Sequence, residues 1–139
     1  MQGKSSFDTI INLTNLNIDR NRLSQSVIGI LSQKLLPKLC NDCKQRYLLP
    51  PEKKQELFKN SENQKIYAYC KIGCPTCANT GYKGSIAIQE LLSFEDDIQK
   101  LIFAGKNIKE IKNYLYKREF QDMRYDEIKK EIRGLIDIA

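Results

Sequence analysis

Apolar residues recur along this chain at two spacings, which predict helices near its two ends and strands between them. Near the N-terminus they return every three or four positions, which predicts a helix from Ser5 or Ser6 to about Leu16 with one apolar face, formed by Phe7, Ile10, Ile11 and Thr14. Asp19 is placed to cap a second helix, which we expect to run through Leu23 to Val27.

Two later stretches predict strands that pair with each other. Residues 28–36 form an apolar-rich run, and Pro37 should close it because proline has no N–H to give to a ladder. Residues 85–92 alternate, with Ile86 and Ile88 on one face of a strand. We expect the two strands to form an antiparallel β-hairpin that carries the intervening residues at its tip.

The intervening residues contain three weaker signals. Pro50 and Pro51, followed by Glu52, predict a short helix that starts at proline and ends near Phe58. Residues 60–63 are interpreted as a loop, and residues 66–69 have the composition of a short strand.

The last third of the chain predicts three further helices. Ser93 is expected to cap the first and Gly105 to end it. Asn107 with Glu110 is a capping pair for the second, and the third is expected over about residues 122–133. We interpret the apolar stripes of these helices as packing surfaces rather than ligand sites.

Composition narrows the possible functions. The 139 residues suffice for one modest hydrophobic core or for a portion of a larger one. The chain has 23 Lys and Arg against 17 Asp and Glu, which gives a net charge of +6. Because basic and acidic residues alternate on the predicted helices, a solvated lysine-rich surface is favoured over nucleic-acid binding. No apolar run reaches the length of a bilayer span. The chain has no histidine, which excludes histidine acid–base catalysis and leaves cysteine and carboxylate as metal ligands.

The strongest chemical signal is a pair of CxxC motifs. Cys40 and Cys43 form the first, and Cys74 and Cys77 form the second after a 30-residue interval. Each motif can fold into a turn that directs two thiolates at one point, so two turns complete a four-sulfur shell for Zn²⁺. Glycines at 81 and 84 follow, where a turn needs positive φ and a metal knuckle needs free N–H groups.

Disulfides and buried thiols are the alternatives to a metal site. No stretch at the N-terminus resembles a signal peptide, so we expect a reducing compartment in which thiols stay free. Five cysteines also fit four ligands and a spare better than a set of pairs. The spare is expected to be Cys70, which lies outside the paired spacing; we interpret it as an ordinary thiol, with competition for the metal as the alternative.

Three segments of the chain together resemble the C-terminal part of type II secretion and type IV pilus assembly ATPases. They are residues 32–43, 73–84 and 86–92. They contain CxxC, then CxxCxxTGYxG, then an IxE strand, in the order of that family. The three predicted downstream helices also follow in the same order. The resemblance covers the chain from about Ser5 onward.

The resemblance implies an α+β fragment of an α/β, RecA-like ATPase C-terminal domain. In it a β-hairpin carries a tetracysteine zinc module, and a C-terminal helical subdomain follows. We expect the tail of the RecA-like core over residues 1–39, the zinc-binding subdomain over 40–83, the return strand over 84–92 and the helical subdomain over 93–139. Zinc would be held by Cys40, Cys43, Cys74 and Cys77, and ATP would be bound only by the full-length family protein.

The resemblance also implies a setting and partners. The family's motors are rings, usually hexameric, that lie in the cytoplasm against the inner face of the cytoplasmic membrane. The implied partners are the remaining half or neighbouring subunits of such a ring and an inner-membrane platform protein, in secretion, pilus assembly or DNA uptake. Nucleic acid is not an expected partner of this chain.

This chain departs from the family pattern in its nucleotide chemistry. It contains no GxxxxGK[ST] loop, no acidic metal-holding strand and no histidine box, so we expect no ATP hydrolysis by this chain alone and assign it no catalytic or nucleotide-binding residue. Lys34 and Ser85 stand where the family pattern has arginine, which removes the guanidinium fork at both positions. We expect the product of a split gene, a truncated copy or an isolated module.

Three functions compete at this point. As a piece of a motor, the chain should expose the apolar face of its first helix, where the sheet of the parent protein would cover it. As a free-standing zinc module for nucleic acid, it should bind DNA or RNA in a salt-sensitive way. As a thiol redox enzyme, it would need an exposed CxxC with one thiolate of low pKa.

Overall fold

The computed structural model of the chain describes residues 5–58 and 64–138, and its contacts divide it into two compact units. The helical unit comprises residues 1–33 and 89–123, and the cysteine unit comprises residues 34–88 and 124–139. The described residues form six α-helices, four strands and one 3-10 turn. In chain order they are α1 (Ser6–Asn15), α2 (Arg20–Ser26), β1 (Gly29–Leu39), β2 (Gln45–Leu48), α3 (Pro51–Leu57), β3 (Tyr67–Cys70), the 3-10 turn (Pro75–Cys77), β4 (Tyr82–Ser93), α4 (Asp96–Phe103), α5 (Ile108–Lys117) and α6 (Met123–Ile132). The loop predicted over 60–63 falls outside the described residues.

Strands β1 and β4 pair with each other in a two-stranded sheet, which confirms the predicted partnership. In the helical unit the N–H of Phe94 donates to the carbonyl of Ile28 at 2.9 Å. In the cysteine unit the N–H of Cys40 donates to the carbonyl of Gly81, also at 2.9 Å. Because the start of β1 meets the end of β4, the two strands are antiparallel.

Two predicted boundaries in this sheet are wrong. Strand β1 continues through Pro37 to Leu39, because in a two-stranded sheet each strand has one unpaired edge, where a missing N–H is tolerated. Ser93 is the last residue of β4 and caps no helix; α4 begins at Asp96, and the residue before it, Glu95, makes no side-chain cap hydrogen bond. Pairing with β1 therefore overrides the local capping signal at Ser93.

The core of the helical unit is built from the apolar stripes of its helices and from the end of the sheet where the start of β1 pairs with the end of β4. Strand residues Ile30 and Leu92 are buried there with α1 and the two helices that follow β4. The cluster consists of Phe7, Ile10, Leu23, Ile30, Leu92, Phe94, Ile98, Ile102, Ile111 and Leu115. The stripes of α4 and α5 are packing surfaces, as the sequence predicted, whereas Ile132 in the stripe of α6 is 39% exposed.

Most of the predicted helix ends are confirmed by their hydrogen bonds. The side chains of Ser5 and Asp19 accept from backbone N–H groups in the first turns of α1 and α2. Asn107 and Glu110 form a reciprocal capping box at the start of α5. Gly105, which follows the end of α4, has φ +70°, a left-handed conformation that favours glycine.

The expectation that α1 exposes its apolar face is wrong for Phe7 and Ile10, which are buried, whereas Ile11 of the same face is 38% exposed. Phe7 and Ile10 are each 3% exposed, and the Phe7 ring lies 5.6 Å from the ring of Phe120, centroid to centroid. The helical unit itself supplies the cover, through α5 and the segment that follows it. Large exposed apolar side chains also lie on the outer face of the sheet, where Leu31 is 54% and Leu91 is 60% exposed.

One buried carboxylate in the helical unit has a role that the pattern of the sequence did not indicate. Glu90 is 4% exposed and lies on β4. One of its oxygens accepts from the N–H of Ser6, the first residue of α1, at 2.5 Å. The other accepts from the N–H of Met123, the first residue of α6, at 2.8 Å. A single negative charge therefore satisfies backbone donors at two helix N-termini, where the helix dipole is positive.

The cysteine unit contains a second two-stranded sheet that extends the predicted fold. Strand β3 is close to the strand predicted over 66–69, and its partner β2 was not predicted. The two are antiparallel, with Arg46 opposite Tyr69 and Leu48 opposite Tyr67. The sequence of β2 alternates weakly and contains two charged or amide side chains, so its strand character depends on pairing with β3.

No helix among residues 5–58 and 64–138 is both long enough and apolar enough to cross a membrane. This agrees with the absence of a long apolar run in the sequence.

Candidate metal centre

The four paired cysteines come together at one end of the β1–β4 sheet. Cys40 follows β1 directly and is fully buried, and Cys43 lies in the turn that leads to β2. Cys74 precedes the 3-10 turn, and Cys77 is its last residue. Residues 44–73, which lie between the two CxxC motifs, are called the excursion below. The turns on its two sides thus present two sulfurs each, as the CxxC spacing predicted.

The separations of the four sulfur atoms fit a tetrahedral metal site. All four lie within 4.8 Å of one another. The Sγ atoms of Cys40 and Cys74 are 3.9 Å apart, and those of Cys43 and Cys77 are 3.8 Å apart. A tetrahedron with Zn–S bonds of about 2.3 Å has sulfur–sulfur edges of roughly 3.8 Å. A disulfide would need about 2.05 Å, so the arrangement favours a metal and not a bond between sulfurs.

Backbone N–H groups point at two of the sulfurs. Cys77 Sγ accepts from the N–H groups of Cys74 and Gly81, each at 3.2 Å, and Cys43 Sγ accepts from the N–H of Gly73 at 3.3 Å. Donors that face sulfur stabilise the thiolate, which is the form that binds a metal. This confirms the expectation that the glycine turn would present free N–H groups to the knuckle.

The pKa values of the thiols show how these donors act. Burial raises the pKa of Cys77, but the N–H groups of Cys74 and Gly81 and the neighbouring thiols outweigh it and lower that pKa to about 6. For Cys43, burial raises the pKa to about 11; the Gly73 N–H opposes this rise and the surrounding thiols add to it. One thiolate thus forms readily while a second is held protonated. A divalent cation removes that conflict because it offsets the charge of the clustered thiolates.

Glycine is required at two positions around the site. Gly73 has φ +115°, and a Cβ there would lie 2.8 Å from the backbone oxygen of Asn79. Gly81 has φ +78°, and a Cβ there would lie 2.6 Å from the Cβ of Lys71. Ala78 and Asn79, between them, also have positive φ. The left-handed turn after Cys77 is what brings the Gly81 N–H back to its sulfur.

Cys70 is separate from this cluster, as the spacing predicted. It is the last residue of β3, and its Sγ lies 3.6 Å from the carbonyl oxygen of Gln45 on β2. It is absent from the group of four whose sulfur atoms converge.

The segment after α6 supports the cysteine turns, an arrangement that was not predicted from the sequence. The N–H of Leu39 donates to the carbonyl of Leu135 at 2.8 Å, and the ammonium of Lys44 donates to the carbonyl of Gly134 at 2.8 Å. The hydroxyl of Tyr82 donates to the carboxylate of Asp137 at 2.7 Å. These bonds join residues distant in the sequence, and no local pattern identifies them.

Comparison with known proteins places these features in a family. The family described as type II/IV secretion system protein matches residues 2–139. The type IV pilus assembly ATPase PilB of Thermus thermophilus is 35% identical over 91% of this chain and 14% of its own length. The type II secretion system ATPase E of Vibrio cholerae is 30% identical over 93% of this chain and 26% of its own length. PilB of Pseudomonas aeruginosa is 30% identical over 96% of this chain and 24% of its own length.

Proposed function

This chain belongs to the type II/IV secretion system protein family, and we propose that it acts as the C-terminal portion of a cytoplasmic secretion or pilus-assembly motor ATPase. The chain spans between about one seventh and one quarter of the length of the relatives compared above. In this proposal it supplies a zinc subdomain and contacts to other subunits and to a membrane platform. It does not hydrolyse ATP alone, because it lacks the loop that holds the phosphates.

The observation that carries the proposal is the convergence of four sulfurs within a chain that matches the family over nearly its full length. Cys40, Cys43, Cys74 and Cys77 are proposed to hold Zn²⁺. Four cysteine ligands fill a tetrahedral shell and leave no position for substrate, so the proposed role of the metal is structural. When bound, the ion supplies a cross-link between the two turns.

That cross-link acts on the hairpin and helix between the turns. Residues 44–73 are joined to the rest of the cysteine unit at Cys43 and Cys74, so fixing these two sulfurs fixes both ends of the excursion. Structural zinc sites contribute on the order of 10 kcal/mol of binding free energy, comparable with the stability of a domain. In the proposal, the excursion keeps a defined shape for its partners through this site.

The wider proposal follows the arrangement implied by the family. Residues 1–39 are proposed as the tail of a RecA-like core, 40–83 as the zinc subdomain, 84–92 as the return strand and 93–139 as the helical subdomain. The ring is proposed to be hexameric and to lie against the inner face of the cytoplasmic membrane. Whether the motor serves secretion, pilus assembly or DNA uptake depends on partners outside this chain.

Metal analysis of the purified chain tests the site directly. We expect one zinc per chain by mass spectrometry of the digested protein, and loss of the zinc in the double variant Cys40→Ser/Cys74→Ser. Cys70→Ser is the control: it makes the same cysteine-to-serine change once in the cysteine unit, outside the cluster, so it should retain the metal. Zinc loss in Cys70→Ser, or zinc retention in the double variant, would contradict the assigned ligand set.

Affinity purification of the tagged chain from its native cells tests the motor. We expect a protein with a phosphate-binding loop to accompany it and the complex to hydrolyse ATP, whereas the chain alone does not. A chain that purifies alone with one zinc would instead be a free-standing metal module. The metal result and the partner result are independent, so each part of the proposal can fail separately.

A further inference from the structure

We propose that a groove in the cysteine unit binds an acidic peptide segment with an apolar anchor residue. The groove has a volume of about 430 Å³ and lies beside the β2–β3 hairpin. Two cationic side chains, Arg46 and Lys65, line it. The rest of the lining is mainly an apolar and aromatic wall, formed by Phe58, Ile66, Tyr67 and Ile132. No Asp or Glu is among the described residues that line it.

The distribution of charge between the two units favours an anionic partner here. The cysteine unit has 14 Lys and Arg against 8 Asp and Glu, whereas the helical unit has nine of each. The whole net charge of +6 therefore belongs to the cysteine unit. Clustered charge of one sign raises the rate of encounter with a partner of the opposite sign.

The two cations of the groove are available to such a partner. The guanidinium of Arg46 stacks on the ring of Tyr67, 3.8 Å from the ring centroid. Stacking uses the face of the guanidinium and leaves its in-plane N–H groups to bind a carboxylate in a fork. Neither Arg46 nor Lys65 forms an ion pair with a described residue. By contrast, the ammonium of Lys44 already donates to the carbonyl of Gly134.

The same stacking argues against a nucleic acid as the occupant. Single-stranded nucleic acids bind through bases stacked on open aromatic faces. Here Arg46 lies over Tyr67, and the ammonium of Lys44 lies 5.2 Å from the ring centroid of Tyr69. Both rings thus have a cation on one face. An anionic membrane surface is the other competing occupant and is tested below.

Fluorescence anisotropy with three labelled peptides tests the inference on the purified chain. The probe repeats Glu-Glu-Leu; one control replaces each leucine by serine, and the other replaces each glutamate by lysine. We expect the probe to bind and each control to bind at least about tenfold more weakly, because both the charge and the apolar anchor contribute. A 12-nucleotide oligo-dT and phosphatidylglycerol vesicles serve as the competing anions.

Charge-reversal variants locate the binding. Arg46→Glu and Lys65→Glu are each expected to weaken probe binding about tenfold. Lys83→Glu makes the same charge change at an exposed position of the same unit outside the groove lining, and should change affinity less than about twofold. Lys65 makes no hydrogen bond or ion pair among the described contacts, so its variant remains informative if Arg46→Glu disturbs the hairpin.

The outcomes separate clearly. Selective loss in the two groove variants supports the inference. Equal weakening by Lys83→Glu, tighter binding of oligo-dT or vesicles than of the probe, or no probe binding at all would overturn it. The inference goes beyond the proposed function but rests on its zinc site, because the metal is proposed to hold β2 and β3, which line the groove. Metal analysis of the same preparation separates the two: loss of zinc contradicts the proposed site, whereas a chain that holds zinc and does not bind the probe overturns only this inference.

Discussion

Glu90 provides the sharpest test of how the helical unit is held together. Its carboxylate accepts from the N–H groups of Ser6 and Met123 and is almost fully buried. Glutamine at this position keeps one carbonyl oxygen but turns the other oxygen into an NH₂ group that must face a backbone donor. Glu90→Gln therefore loses one charge-assisted hydrogen bond and weakens the other while the shape is nearly unchanged.

The expected cost follows from these two bonds. A hydrogen bond to a charged group contributes about 1.5–3 kcal/mol, and a buried donor left without a partner costs a similar amount. We expect Glu90→Gln to lower the free energy of unfolding by about 2–3 kcal/mol, which in a chain of this size lowers Tm by roughly 6–10 °C. Because the site is buried, the effect should change little with ionic strength.

Denaturant unfolding followed by circular dichroism measures the cost, with Glu119→Gln as the control. Glu119 is exposed and its carboxylate makes no hydrogen bond or ion pair with a described residue, so the same chemical change there should stay within about 0.5 kcal/mol. Amide hydrogen exchange adds a local readout, because the N–H groups of Ser6 and Met123 should lose protection in Glu90→Gln first. Equal costs for the two variants, with protection unchanged at both amides, would refute the assigned role of Glu90.

Three further substitutions test other features. Gly81→Ala should weaken zinc binding about 10- to 100-fold, because the added Cβ displaces the N–H that faces Cys77. Gly84→Ala is the control, since Gly84 has a similar φ but open space around it, and it should leave the zinc affinity unchanged. A competition titration with a chelator measures both affinities. Asn107→Ala removes the cap of α5 and should cost about 1 kcal/mol in denaturant unfolding. The hydrogen bond from the Tyr114 hydroxyl lowers the pKa of Asp97. The ionised Asp97 carboxylate therefore contributes to stability at neutral pH, and this contribution is lost as the pH falls through the lowered pKa. In Tyr114→Phe, an NMR titration should show the pKa of Asp97 rising toward its usual value.

Local signals in the sequence were sufficient where a feature depends on neighbours in the chain. The Asn107 and Glu110 box, the left-handed Gly105 and the two CxxC turns each involve residues a few positions apart, and the structure shows all of them. Convergence of the two turns was also predictable, because four thiols at this spacing fit one tetrahedral site.

The sequence failed where partners are distant along the chain. Ser93 has the chemistry of a helix cap, but β4 takes it into the sheet. Pro37 has the chemistry of a strand end, but it lies in a sheet of two strands, where an unpaired edge accepts it. The role of Glu90 joins residues 84 and 33 positions away. Such features depend on topology, which the local pattern does not contain.

The two units differ in how much apolar burial stabilises them, and this predicts a selective effect of metal removal. Among the described residues, ten buried apolar side chains form the core of the helical unit, whereas those of the cysteine unit besides its cysteines are Leu39, Leu49, Ala68, Ile88 and Ile136. A unit of about 70 residues with so small a core needs a further cross-link. A chelator should therefore abolish amide protection in β2 and β3 while α4 and α5 stay protected, as hydrogen exchange would show. If all of these elements lost protection together, the two units would share one cooperative unfolding transition, and the metal could not be the separate stabiliser of the cysteine unit.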